Sequence, residues 1–316
     1  MNTLAFRKIK TAVGLILKNP SSLVVAIGQY GLLNWIPNRA YLKLVYKAEV
    51  GSKLDLKNPK TFSEKLQLLK LTDHKDQYIQ LIDKYQAHAY IAEKYGTDYV
   101  IPYLGVYDAP EDIEWEKLPE RFVIKCTHGS GCNILCTNKE QLDKKMAVLQ
   151  LKAWMKKNWY FFGREWPYLK IKPRIVIEQF EEDAKNKSDL TDYKFYCFEG
   201  KPQYCQVIGN RQVLDGKSTY TIDFFDMKWN HMDFSGLCAP GHSYPASAHK
   251  HERPFTFDQM VKMAEKLANQ THFVRIDFYE INGVLKFGEF TLYPLSGFGV
   301  FSPEEWNIKL GDMIQI

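Results

Sequence analysis

The sequence predicts an α+β fold in several layers, and three features carry that reading. Residues 1–50 read as helical. From Leu118 the texture changes: "RFVIKCTHGSGCNILCTN" reads as strand, glycine-rich turn and strand, and "KEQLDKKMAVLQLKAWMKKNWY" follows as a long amphipathic helix. Near the C-terminus, "FVRIDFYEINGVLKFGEFTLYPLSG" is an antiparallel hairpin through Asn282-Gly283, a dipeptide that supplies the two positive-φ positions of a tight turn. Helices and antiparallel strands thus come in blocks, which excludes a single doubly wound sheet.

Taken in order, "NPKTFSEKLQLLKLTD" predicts a helix with Thr61 or Ser63 as its N-cap and Leu66, Leu69 and Leu71 on its apolar face. "QLIDKYQAHAYIAEKYG" predicts one further helix, stopped at Gly96. "YVIPYLGVYD" reads as a strand or loop, "PRIVIEQFEE" as a buried strand, and "DYKFYCFEGKPQYCQVIGNR" as two strands about Glu199-Gly200-Lys201. Residues 212–254 read as looser, and "TFDQMVKMAEKLANQ" as a helix. Four stretches result, with borders at 50/51, 117/118 and 175/176.

At 316 residues the chain can bury a full core. Its 45% apolar and 25% charged residues are an ordinary globular balance. The net charge of +5 suits an anionic ligand but is too small to argue for nucleic acid, so no nucleic-acid partner is expected. Six cysteines in so long a chain make no disulfide framework, and a cytoplasmic home is expected. The stretch "TAVGLILKNPSSLVVAIGQYGLLNWIP" is apolar but broken at Lys18, Asn19 and Pro20, short of a spanning helix. Residues 1–40 therefore have two readings: packed on the protein body, or in peripheral contact with the cytoplasmic face of the membrane through Arg7, Lys8, Lys10 and Lys18.

Chemistry concentrates in two places. In "VRIDF", Arg275 and Asp277 share one strand face, as Glu289 and Thr291 do in "FGEFT". Pairing through the hairpin brings the two carboxylates together. Such a pair repels unless a cation sits between them, and hard oxygen ligands of this kind suit Mg²⁺. The apolar residues Val274, Ile276, Phe278, Phe287 and Phe290 take the other positions. In "FVIKCTHGSG", Lys125 ends a strand and meets a loop containing Ser130, a unit able to hold phosphate. Taken alone, that stretch is also compatible with an ordinary hairpin or with a metal site on Cys126, His128, Cys132 and Cys136. The cysteine spacing fits no usual zinc site, however. His231, Cys238, His242, His249 and His251 form a second loose group, read as an acceptor loop or plain surface.

The ordered set "DKYQAHAYIAEKYG", "FVIKCTHGSG", "IVIEQF", "DYKFYCFEGK", "VRIDFY" and "FGEFT" resembles the ATP-grasp superfamily. "NPKTFSEKLQLLKL", "EDIEWEKLPERFVIKCTHGSG" and "FGEFTLYPLSGFGVFSPEEW" are similar to its teichuronopeptide-biosynthesis (TupA-like) branch. The resemblance implies two subdomains gripping ATP: a small one at 118–175 with the phosphate loop, and a large one at 176–316 with the metal and acceptor sites. It assigns Lys84 and Lys125 to the phosphates and His128-Gly129-Ser130-Gly131 to the covering loop. Glu178, Gln179 and Phe180 match the adenine hinge, and Asp192 the ribose carboxylate. Asp277, Glu289 and Thr291 become the metal ligands, with Thr291 standing where the superfamily usually has asparagine. Arg275, Lys194 and Arg211 make the implied catalytic set. The implied reaction joins a carboxylate to an amine through an acyl phosphate, using ATP and Mg²⁺. The expected partners are a glycan or uronic-acid-containing acceptor and an amine donor, and a transferase of polysaccharide biosynthesis (a glycosyltransferase or a kinase) is the alternative.

Overall fold

The computed structural model describes residues 21–185, 190–214, 217–238 and 244–316. Two antiparallel sheets dominate. The first has the strand order β1-β4-β2-β3, from β1 (Tyr103–Tyr107), β2 (Phe122–Cys126), β3 (Asn133–Cys136) and β4 (Ile175–Gln179). The second has the order β10-β9-β5-β6-β7, from β5 (Asp192–Phe198), β6 (Lys201–Leu214), β7 (Lys217–Asp226), β9 (Phe273–Ile281) and β10 (Val284–Thr291). A small pair, β8 (Ser235–Cys238) with β11 (Val300–Ser302), lies beside them. The first sheet therefore draws β1 from the stretch before Leu118, and the border at 175/176 falls inside β4.

Each sheet has its own core. Under the first lie Phe122, Ile124, Leu151, Ile175 and Ile177, all fully buried. The second packs on the helix Phe257–Leu267, which buries Phe257, Met260, Met263, Ala264 and Leu267 at helical spacing. The helix Phe62–Thr72 starts at Thr61, not Ser63. Thr61 accepts from Glu64 N–H and Glu64 reaches back to the Thr61 backbone, a full capping box.

Two elements differ from expectation. The single helix expected up to Gly96 is two, Gln77–Ile82 and Lys84–Tyr95, because Asp83 leaves helical geometry (ψ 110°) and caps the second through Tyr85 N–H. The looser stretch contains β7, whose Ile222, Asp223, Phe224 and Phe225 are buried in succession. A strand covered on both faces carries no alternating signal.

Residues 21–50 are packed against the body. Buried Arg164 holds them: it stacks 3.9 Å from the Tyr41 ring, donates to Asn34 Oδ1 at 2.5 Å and donates to Leu33 O at 3.0 Å. Among the described residues no helix is long and apolar enough to cross a membrane.

Candidate active site

The β9–β10 hairpin turns through Asn282 (φ 52°) and Gly283 (φ 78°) and pairs Glu289 with Asp277 and Thr291 with Arg275. Phe287 and Phe290 are three apart, so a regular strand would send them to opposite faces. A bulge at Gly288 absorbs the extra residue and returns both phenylalanines to the buried face with Phe278 and Ile276. Glu289 and Thr291 are thereby aligned with Asp277 and Arg275. A side chain at Gly288 would be crowded, because a Cβ there would lie 3.0 Å from Asp277 O.

Cations already grip these carboxylates. Asp277, 1% exposed, accepts from Lys194 Nζ at 2.6 Å, Arg275 Nε at 2.7 Å and Arg275 Nη2 at 2.8 Å. Glu289 pairs with Lys84 Nζ and stands 3.4 Å from Arg275 Nη2, which also donates to Thr291 Oγ1 at 3.0 Å. Lys194 reaches Asp192 at 3.4 Å. Burial alone would push the Glu289 carboxyl up, but Lys84, Arg275 and Lys194 pull it well below the usual carboxylate range. Burial would lower Lys84 likewise, and the Glu289 charge and hydrogen bond, with Glu178 and Asp277 beyond, raise it instead. Both groups stay charged at neutral pH.

The first sheet supplies the opposite wall. Lys125 on β2 and Glu178 on β4 share a face and pair at 2.5 Å. Lys84 is the first residue after the Asp83 cap, and its backbone N–H bonds Thr127 O, which ties it to the loop after β2. In that loop Gly131 takes φ 69°, and Gly129 is forced by proximity: a Cβ there would collide with the Trp159 indole. Ser130 is exposed. His128 turns away from the cleft, its Nε2 on Trp154 O at 3.2 Å, and burial lowers its pKa. Cys126, Cys132 and Cys136 are free and buried, and burial raises their thiol pKa values. No cluster among the described residues could hold a metal through three or more His, Cys, Asp or Glu side chains.

A cavity of about 220 Å³ lies between the sheets. Lys84, Lys125, Lys194, Ser130, Gly131, Glu178, Asp192, Asp277 and Glu289 all line it, so most of the residues proposed from sequence meet there. Gln179 and Phe180 do not: the Gln179 N–H bonds Pro102 O, and the Phe180 ring stacks under the Arg121 guanidinium at 3.8 Å. The Arg211 side chain, His242 and residues 1–20 lie outside the described residues. The apolar lining comes from Phe287, expected only on the apolar face of the hairpin, and from residues that the sequence did not single out: Ile101, Tyr103 and Tyr279, with His88 stacked 3.8 Å over Tyr103.

A second cavity of about 620 Å³ shares Lys84, Ser130, Gly131 and Glu289 with the first and adds Arg275 and Thr291. Its far walls include Glu49, Trp159, Glu165, Tyr168, Tyr293 and Phe298, none of them apparent from sequence. Of the loose His/Cys group, His231 and His251 both donate to buried Asp223, at 2.9 and 3.0 Å, and Cys238 lines this second cavity. Tyr244 lines it as well, on the loop that His251 ties down.

The donor set fits a hard divalent ion: two adjacent carboxylates with a hydroxyl beside them, facing a cavity where three lysines meet four carboxylates. Asp277 and Glu289 would hold Mg²⁺ and phosphate oxygens would complete its shell, while Thr291 is already engaged by Arg275. Two antiparallel sheets facing each other across such a cleft define the ATP-grasp class. The sequence matches the family described as "TupA-like ATPgrasp" over residues 64–315, and the chain belongs to that family. It is similar to the solved D-alanine–D-alanine ligase from Bacillus anthracis at 14% identity, covering 81% of this chain and 69% of that one with a TM-score of 0.40. For that ligase complexed with ATP the values are 16%, 74%, 65% and 0.41. For the ATP-grasp ligase PsnB with minimal precursor they are 13%, 69%, 54% and 0.36. No curated protein matches the chain.

Proposed function

We propose that the protein is an ATP- and Mg²⁺-dependent carboxylate–amine ligase that attaches an amino acid or peptide to a cell-surface polysaccharide precursor. The observation that carries the reading is a pair of joined cavities, one ringed by lysines and carboxylates from both sheets, the other opening at Arg275 and Glu289. A carboxylate oxygen of the substrate attacks the γ-phosphorus, the bond to ADP breaks, and an acyl phosphate forms. The amine then attacks the acyl carbon and phosphate leaves with its electron pair, the amine giving up a proton. Bound Mg²⁺ would neutralise phosphate charge.

The residues of the chain do the positioning. Lys125, Lys84 and Lys194, which all line the first cavity, bind phosphate oxygens, and Lys194 also holds Asp277 in place. Arg275, fixed by two bonds to Asp277, lines the second cavity and steadies the acyl phosphate there. No side-chain nucleophile is needed, so catalysis is placement and electrostatics. The polysaccharide setting and the uronic-acid acceptor extend this reading from the resemblance to the teichuronopeptide-biosynthesis branch.

A phosphate-release assay over amino acids and uronic-acid glycans tests it. Wild type should release phosphate only with ATP, a carboxylate and an amine together. Lys125→Ala and Asp277→Asn should each lose at least about a hundredfold, the scale of a lost transition-state contact to charge. Full activity in both variants, or sugar transfer from a nucleotide sugar without ATP, would contradict it.

The protein is further proposed to work at the cytoplasmic face of the membrane. Tyr30, Leu32 and Trp35 are 70%, 66% and 79% exposed, and the next helix (Asn38–Val50) carries Arg39, Lys43 and Lys47 on its exposed face. Sedimentation with anionic vesicles should exceed that with zwitterionic ones, and Trp35→Ala should reduce it several-fold. Equal recovery with both lipids would refute the placement.

A further inference from the structure

We infer that the deep end of the second cavity binds a cationic amine on an aromatic-sized body, with Glu165 as its counter-carboxylate. The inference rests on the ligase reading for its biological sense, but its observations are independent of the nucleotide cleft. The only basic side chains lining this cavity among the described residues are Lys84, which it shares with the first cavity, and Arg275, and both are paired with Glu289 or Asp277. The far walls carry two carboxylates, Glu49 and Glu165, and aromatic rings. Such a lining repels an anion and suits an ammonium group held against ring faces.

Glu165 is 9% exposed and still lines the cavity. Its Oε1 accepts from Ser296 Oγ, and among the described residues no donor reaches Oε2. Lys70 would be the obvious counter-ion, but its ammonium spends its hydrogen bonds elsewhere, on Gln67 Oε1 at 2.9 Å, Gly163 O at 2.7 Å and Ser296 O at 2.6 Å. Burial accordingly pushes the Glu165 carboxyl up, against the pull of Lys70. A buried carboxylate whose nearby cation, Lys70, makes no direct bond to it is costly, and an incoming ammonium would satisfy it.

The surroundings are held in one geometry. Leu295 and Ser296 sit at φ 48° and 51°, a strained region for residues with side chains, and Lys70 and Gln67 clamp the carbonyl groups of that turn. Gly163 packs so close that a Cβ would lie 2.2 Å from Ser296 Oγ. Trp159 lines the same cavity, with its indole N–H buried against Gly129. If Glu165 served only to neutralise Lys70, its loss would destabilise the fold without altering which ligands bind.

Calorimetric titration of the full-length protein with tyramine and with 4-hydroxyphenylacetate, which differ in the sign of their terminal charge, tests the site. Tyramine should bind at least about tenfold more tightly, and Glu165→Gln and Glu49→Gln should each weaken it about fivefold or more. A parallel Mg·ATP titration should stay within about twofold of wild type in both variants. Failure of tyramine to bind wild type, equal or tighter binding of the acid, or Gln variants with unchanged tyramine affinity would overturn the proposal. Wild type that binds tyramine but not Mg·ATP would overturn the ligase reading and leave the amine site standing. Glu49 does not contact Lys70, so its variant keeps the test valid if Glu165→Gln misfolds.

Discussion

Asp223 shows what a single buried carboxylate can hold together. It is 3% exposed and accepts from His231, His251 and the Ser247 backbone, which fastens the loop after residue 244 onto β7. Burial would raise its pKa, but the His251, Ser247 and His231 hydrogen bonds win and hold it below the ordinary 3.8. A depressed carboxylate pKa contributes stability that is complete above the ordinary value and lost as pH falls through the folded one. Asp223→Ala should therefore cost about 2–3 kcal/mol in denaturant unfolding at pH 7, and the gap to wild type should close below about pH 4. A gap that stays constant to pH 3 would show that the contact is not ionic. At this scale the charged residues were partly legible. Lys125, Asp277 and Glu289 interrupt apolar strand patterns, and such interruptions need a reason. Glu165 and Glu49 carry no such contrast, because their burial comes from distant elements closing over them.

The decisive element is the β9–β10 hairpin. Its turn was legible from Asn282-Gly283 alone. The bulge was not read, although Phe287 and Phe290, spaced three apart, are its trace in the sequence. Gly288→Ala would press a methyl group to 3.0 Å from Asp277 O and 3.1 Å from the Tyr279 ring. It should cost about 1–3 kcal/mol in stability and lower the phosphate-release rate by about tenfold or more, since it displaces Glu289 against Asp277. Wild-type stability with wild-type rate would mean that the bulge does not set the alignment. The break at Asp83 belongs to the same scale. Propensity favours one continuous helix there, and only the cap, together with the Lys84 bond to Thr127 O, ends it where the lysine is needed.

Across the whole molecule, the α+β class followed from the order of helical and antiparallel blocks, and the ATP-grasp fold from the ordered motif set. What the sequence could not supply was the assembly between motifs. β4 inserts between β1 and β2 from far along the chain, and β7 hides in a stretch without alternation because both its faces are covered. Gln179 and Phe180, assigned to the hinge by resemblance, lie off the cavity, since a strand of known sequence can present either neighbour once its register is set by β1 and β2. The central claim is that the space between the two sheets holds the nucleotide, gripped by lysines from each. Equilibrium titration of Mg·ATP into wild type, Lys125→Ala and Lys194→Ala tests it most directly, because those lysines stand on different sheets. The account predicts that each variant binds about tenfold or more weakly, the loss of one charge-assisted phosphate contact. Wild-type affinity in both would place the nucleotide elsewhere.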